Sequence, residues 1–374
     1  MRREKKPLEP QAPQSRLSRG LDRVFRTSLV FVPIGVLANL ALSWFATDHS
    51  VLRNLAALDR TYLYLALLLA LIPWFTNALR LLIWTRFVGY RVRFADTFRI
   101  TLGAELASSV FPTSSGGEVF RWGMMVQKGI TQGQAASIVT LGYLEDLIFF
   151  ATALPVAFVV SEAWELPVFG SVGRQLKELQ GRAVFIALVL LAVTLGIRFV
   201  WRSVLKGVAG SQPRRWGLRF SARLKRKSRK TRHDFRGVWR MVVARGKMRF
   251  LLTFLITAIQ WSSRYSVATA VAYFLGAPVD PVLFFLLQWV IFTAMMFIPT
   301  PGASGGAEAA FVLVYSALMP QGLIGLATAL WRMLTFYFQL ALGSVLFVGM
   351  NVAEARRGAL ARRRAGGAGG TGGA

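Results

Sequence analysis

The sequence predicts an all-α polytopic membrane protein: six membrane-crossing helices plus two re-entrant helical hairpins that form an inverted-topology repeat. Three observations carry that expectation. Apolar residues make up 54% of the 374 and are gathered into long blocks rather than short alternating runs. Positive charge concentrates in alternate connections between those blocks, and one Pro/Ser/Gly motif interrupts the apolar chain twice.

The blocks come first. A helix rises about 1.5 Å per residue, so crossing roughly 30 Å of hydrocarbon takes about 20 mostly apolar residues. Segments 28–46, 61–84, 133–160, 182–201, 250–275 and 322–350 meet that requirement. Block 28–46 closes on Trp44-Phe45 without a small-residue cleavage site, which marks it as a retained anchor rather than a secretory signal.

Charge then orients the blocks. The net charge is +28. Lys and Arg crowd the stretches 1–27, 86–99, 202–249 and the residues after 350, while 47–60 and 161–181 hold few. This positive-inside pattern places both termini and the 202–249 loop in the cytoplasm. Nucleic acid is excluded as a partner, because the basic stretches flank membrane spans and have no fold of their own. The densest cluster, Lys225-Arg226-Lys227-Ser228-Arg229-Lys230, suits retention on that side and attraction to anionic lipid. Cysteine is absent, and the two histidines, His49 and His233, fall in loops on opposite sides, so neither thiolate chemistry nor a metal site is expected.

The repeated motif supplies the hairpins. Pro112-Thr113-Ser114-Ser115-Gly116-Gly117-Glu118 is matched by Pro299-Thr300-Pro301-Gly302-Ala303-Ser304-Gly305-Gly306-Ala307-Glu308. The arms around the first break are 100–111 and 119–127, and around the second 283–298 and 307–319; most are too short to cross. Each pair should dip into the membrane and return. The echo extends to Asn77–Arg80 with Trp261–Arg264, and to Leu144–Phe150 with Trp331–Tyr337. Residues 61–160 and 250–350 therefore form two repeats of opposite orientation, within a transmembrane domain spanning 28–350. A basic N-terminal segment (1–27) and a basic, then Gly-rich, disordered tail (351–374) flank it.

Irregular backbone at membrane depth survives only where it lines a wet cavity or is buried in protein. A cavity is therefore expected at the breaks, where Thr113, Gly116, Gly117, Thr300, Gly305 and Gly306 leave helix N-termini suited to anions. Ionisable residues inside apolar blocks cost about 2.5–3.5 kcal/mol each on insertion scales, which makes them functional candidates. Glu118, Arg121, Arg264, Glu308 and Arg332 head that set, with Arg80, Glu145 and Asp146 secondary and Glu105 alongside. Each has a plainer alternative. Glu118 and Glu308 can cap helices, Arg80 can snorkel, and Arg332 can form a fixed pair with Glu308.

Pro299-Thr300-Pro301-Gly302, Gly305-Gly306-Ala307-Glu308-Ala309-Ala310 and Arg332 together resemble the second motif of the lysylphosphatidylglycerol-synthase transmembrane-region family. Gly117-Glu118-Val119-Phe120-Arg121, followed by Lys128-Gly129, resembles its first motif. The resemblance covers about residues 25–350. It implies a flippase-like domain in a bacterial plasma membrane that moves a polar-headed lipid between leaflets, without cofactor and without altering the lipid. The substrate would be an anionic or zwitterionic phospholipid or a polyprenyl-phosphate lipid, and a homo-oligomer is left open. Two departures stand out. Glu145-Asp146 occupies the place of the family's Glu-Arg pair, which leaves the first half short of a cation, and no soluble aminoacyl-transferring domain is expected. A membrane-embedded lipid transferase and a non-transporting scaffold are the alternatives.

Overall fold

The computed structural model describes residues 37, 58–110, 115–165, 221–298 and 300–368. Block 182–201, block 28–46 apart from residue 37, and Thr113 lie outside the described residues. The described residues are helical, joined by short turns, with no strand among them.

Helix α1 (Arg60–Phe87) starts at Asp59, whose carboxylate accepts the Thr61 amide. Helices α2 (Phe94–Val110) and α3 (Ser115–Gln127) form the first hairpin, and α4 (Gln132–Val160) follows, capped by Thr131. Helix α5 (Ser221–Arg245) leads through Gly246 into α6 (Lys247–Phe274). Helices α7 (Pro281–Met295) and α8 (Gly306–Tyr315) form the second hairpin. Helix α9 (Gln321–Arg332) then passes through a π-helical turn, Met333–Tyr337, into α10 (Phe338–Ala368).

Among the described residues, three helices are long and apolar enough to cross a membrane: Arg60–Phe87, Gln132–Val160 and Gly322–Glu354. Helix α6 matches α1 in length, at 28 residues, but it turns Thr253, Thr257, Gln260 and Ser263 into the protein interior and is correspondingly more polar.

Both hairpins are antiparallel. In the first, Gly117 faces Ala104 and Ser108, Phe120 faces Gly103, and Lys128 pairs with Asp96 at 2.8 Å. In the second, Gly306 faces Ile298, and Tyr315 stacks on Phe284 and donates its hydroxyl to the Phe284 carbonyl. Gly117 and Gly306 are the same glycine of the two Ser-Gly-Gly motifs. Each sits where the opposite arm comes so close that a Cβ would collide with it.

Helices α1 and α6 make the most extensive helix–helix contact among the described residues. They run antiparallel: Tyr62 meets Tyr273 at one end, Arg80 meets Gln260 midway, and Trp84 and Phe87 meet Phe250 and Arg249 at the other. Small residues, Ala66, Ala70, Ala268 and Ala270, let the backbones approach within the larger of two hydrophobic clusters, the usual economy of membrane interfaces.

Two expectations need correction. The predicted loop 202–249 contains a 25-residue helix, α5, whose Phe235, Val238, Trp239 and Val242 pack on the start of α4, where Ser137 donates to the Phe235 carbonyl. The basic segment after 350 and the first residues of the Gly-rich tail, expected to be disordered, prolong α10 as far as Ala368, and residues 369–374 lie outside the described residues. Glu354 pairs with Lys128 at 2.7 Å and also with Arg99, which fastens α10 to the open end of the first hairpin.

Candidate functional site: a charged cavity between the repeats

A cavity of about 720 Å3, bordered by Glu118 of the first motif and by Thr300, Gly302 and Ala303 of the second, is lined by residues of α1, α2, α3, α4, α6, α7 and the α9–α10 helix. Its charged groups divide into two tight clusters in the walls and two loose pairs.

The first tight cluster joins α1, α4 and α6. Arg80 donates from Nε to Glu145 (2.9 Å), from Nη1 to Asp146 and Gln260 (3.1 Å each), and from Nη2 to the Gly142 carbonyl (3.0 Å). Glu145, fully buried, also accepts from Trp84 Nε1 at 2.7 Å and the Thr253 hydroxyl at 2.6 Å. Trp261 Nε1 donates to Asp146 at 3.0 Å. The cation that the first repeat lacked beside Glu145-Asp146 is thus Arg80. It is 5% exposed and does not snorkel out.

The second tight cluster holds the second break. Arg332 donates from Nε to Glu308 (2.8 Å) and from Nη2 to the Gly302 carbonyl, and its guanidinium lies 4.3 Å from the Phe336 ring centroid. Glu308 turns its other oxygen back to accept the Gly305 amide at 2.7 Å. The turn demands glycine: Gly302 and Gly305 have φ of 59° and 83°, and a Cβ on Gly302 would strike the Phe336 ring. Glu308 is therefore cap and counter-ion at once. The π-helical turn begins directly after Arg332, and such bulges recur at functional sites.

The loose pairs face the cavity. Arg264 approaches Glu105 at 3.4 Å and Arg121 approaches Glu118 at 3.3 Å, with these four side chains 17–28% exposed. The Arg121 Nε is buried without a hydrogen-bond partner. Thr300 also lines the cavity and donates to the Ser304 carbonyl. Gly116 and Gly117 open α3.

Of the residues expected at the site, the structure brings Glu118, Arg121, Arg264, Arg332, Arg80, Glu145, Asp146 and Thr300 to one cavity, with Glu308 just behind Arg332. Sequence reasoning did not find Trp84, Thr253, Gln260 or Trp261. These are ordinary helix residues whose partners lie 61 to 180 positions away, so no spacing betrays them. Glu105 was visible only as a charge in an apolar arm.

Long apolar helices, two helical hairpins and a charged cavity define an integral membrane protein with an internal polar site. The model of the lysylphosphatidylglycerol synthase TM region matches residues 28–343, and the chain belongs to that family. A protein of Archaeoglobus fulgidus described as a UPF0104 membrane protein is 25% identical over 296 residues, which cover 76% of this chain and 84% of the relative.

Proposed function

We propose that the protein moves a phosphate-bearing, polar-headed lipid between leaflets, without changing it chemically, through the cavity between its repeats. The carrying observation is the contrast between wall and lumen. Arg80 spends Nε, Nη1 and Nη2 on buried partners and Arg332 is fixed by Glu308 and the Gly302 carbonyl, whereas Arg121 and Arg264 hold their carboxylates at 3.3–3.4 Å and keep donors to spare. A lipid phosphate that reaches the cavity can take up those donors while Glu105 and Glu118 swing away, and the carboxylates neutralise the arginines again once the site empties. Arg332 and Glu308 shape the turn rather than grip the substrate.

The antiparallel α1–α6 pair supports two repeats of opposite orientation, and the hairpins then enter from opposite faces, as in inverted-repeat transporters. The charged ends agree. Arg86, Arg91, Arg93, Lys128, Arg240, Arg245 and Lys247 gather where α1 ends and α6 begins. Asp59, Glu162, Glu165 and Asp280 gather at the other end. With blocks 28–46 and 182–201 included, this gives six crossings in a bacterial plasma membrane and cytoplasmic termini.

Reconstitution tests the proposal. Purified protein in phosphatidylglycerol/phosphatidylethanolamine vesicles carrying a trace of fluorescent phospholipid should expose inner-leaflet label to an external quencher faster than protein-free vesicles. Arg264→Gln should slow that exposure by about tenfold, the equivalent of one charge-assisted hydrogen bond. Protein-free rates with folded protein would refute transport, and a chemically altered lipid would identify a transferase instead.

A further inference from the structure

The cavity has a side wall that is polar inside and apolar outside. Tyr143 on α4 lines the cavity and yet is 54% exposed. Its phenol stands in the electrostatic field of Glu118, Arg121 and Asp146. One turn further along α4, on the same face, Leu147 is 46% exposed, and on α3, which packs on α4, Val119 is 67% exposed next to the half-buried Glu118. Apolar side chains so exposed at membrane depth face hydrocarbon, while the charges immediately behind them face the cavity. A tyrosine between the two, with an apolar ring and a polar tip, suits such a boundary.

From this juxtaposition we infer that α3 and α4 frame a lateral slot through which a phospholipid enters from the bilayer, with Tyr143 as the positioning residue at its mouth. This rests on the reading of the cavity as a lipid-headgroup site. The phosphate passes Tyr143 to reach Arg121, whose unpartnered Nε is a ready donor, while the acyl chains remain against Val119 and Leu147. Charge complementarity selects the occupant. A soluble anion has no use for an apolar lip, and a lipid without a charged head has no use for the arginine.

Photo-crosslinking tests the slot independently of transport. A benzoylphenylalanine is placed at Tyr143 or, as a control, at Leu255, an exposed residue of α6. Each protein is reconstituted with either a radiolabelled phosphatidylglycerol or a diacylglycerol of the same chains. At position 143 the phospholipid should label about tenfold more than the diacylglycerol, and Arg121→Gln should abolish that preference. At position 255 the two lipids should label alike, with or without Arg121. Equal labelling at 143, or a preference that survives Arg121→Gln, would overturn the slot. Headgroup-selective labelling at 143 in a protein that moves no lipid would leave the slot standing and sink transport; lipid movement without that selectivity would do the reverse.

Discussion

Arg80 and Arg264 close the matching sequence segments Asn77–Arg80 and Trp261–Arg264 and meet opposite surroundings. Arg80 spends its donors on Glu145, Asp146, Gln260 and a carbonyl, all within the wall, whereas Arg264 makes one 3.4 Å hydrogen bond to Glu105 and lies over the Trp261 ring. Removing one partner of a buried pair strands the other charge, at a cost of about 3–5 kcal/mol. Arg80→Gln should therefore lower the melting temperature markedly, while Arg264→Gln should leave it near wild type and act on lipid movement; equal melting shifts would show that both arginines are structural. Arg332 follows Arg80. Reversing both charges of the Glu308–Arg332 pair should still unfold the second break, because a swapped arginine cannot accept the Gly305 amide and a swapped glutamate cannot donate to the Gly302 carbonyl. Recovery of a wild-type melting profile in that double variant would show that charge neutrality alone holds the turn. That Glu308 and Arg332 belong together was legible, since both stood inside apolar helices near one break. The Arg80–Glu145 pair was not, because its members are 65 residues apart and Glu145 has Asp146 beside it as an equal candidate.

The hairpins were legible because Pro and Gly interrupt apolar arms too short to cross. What the motif could not convey was the distinct job of each glycine. Gly305 supplies a left-handed turn, while Gly117 and Gly306 permit close approach of the two arms. The two approaches differ in hardness. A Cβ on Gly117 would meet the Ala104 backbone carbonyl as well as Ser108, whereas on Gly306 it meets only side-chain atoms of Ile298 and no backbone. Overpacking of this kind costs typically about 1–3 kcal/mol, less where a side chain can yield. Gly117→Ala should lower the melting temperature more than Gly306→Ala, by calorimetry or dye-monitored melting. The opposite order would mean that α2 gives way more easily than the Ile298 side chain. Helix α5 was the element missed. Its basic residues hid a stripe of Phe235, Val238, Trp239 and Val242 at helical spacing, and so many charges made the segment read as a solvated loop.

At the scale of the whole molecule, loops far apart in sequence collect at two ends. Tyr62, Tyr273 and Val279 meet at one end, where Tyr273 donates to the Val279 carbonyl; Asp96, Arg99, Lys128 and Glu354 meet at the other. Antiparallel α1 and α6 tie these ends to opposite sides of any membrane they cross, so the orientation of one loop determines the rest. The absence of cysteine makes that directly testable. Single cysteines at Asp280 and Ser161 should react with a membrane-impermeant maleimide added outside intact cells, whereas cysteines at His233 and Arg240 should react only after the membrane is breached. Asp280, His233 and Arg240 are exposed, so failure to label reflects the side of the membrane rather than burial. If Asp280 and Arg240 label from the same side, α6 does not cross, and the cavity lies at an interface rather than at the midplane. If all four positions invert together, the fold and the slot survive unchanged. The positive end then faces outward, and the charge rule, not the repeat, is what fails for this chain.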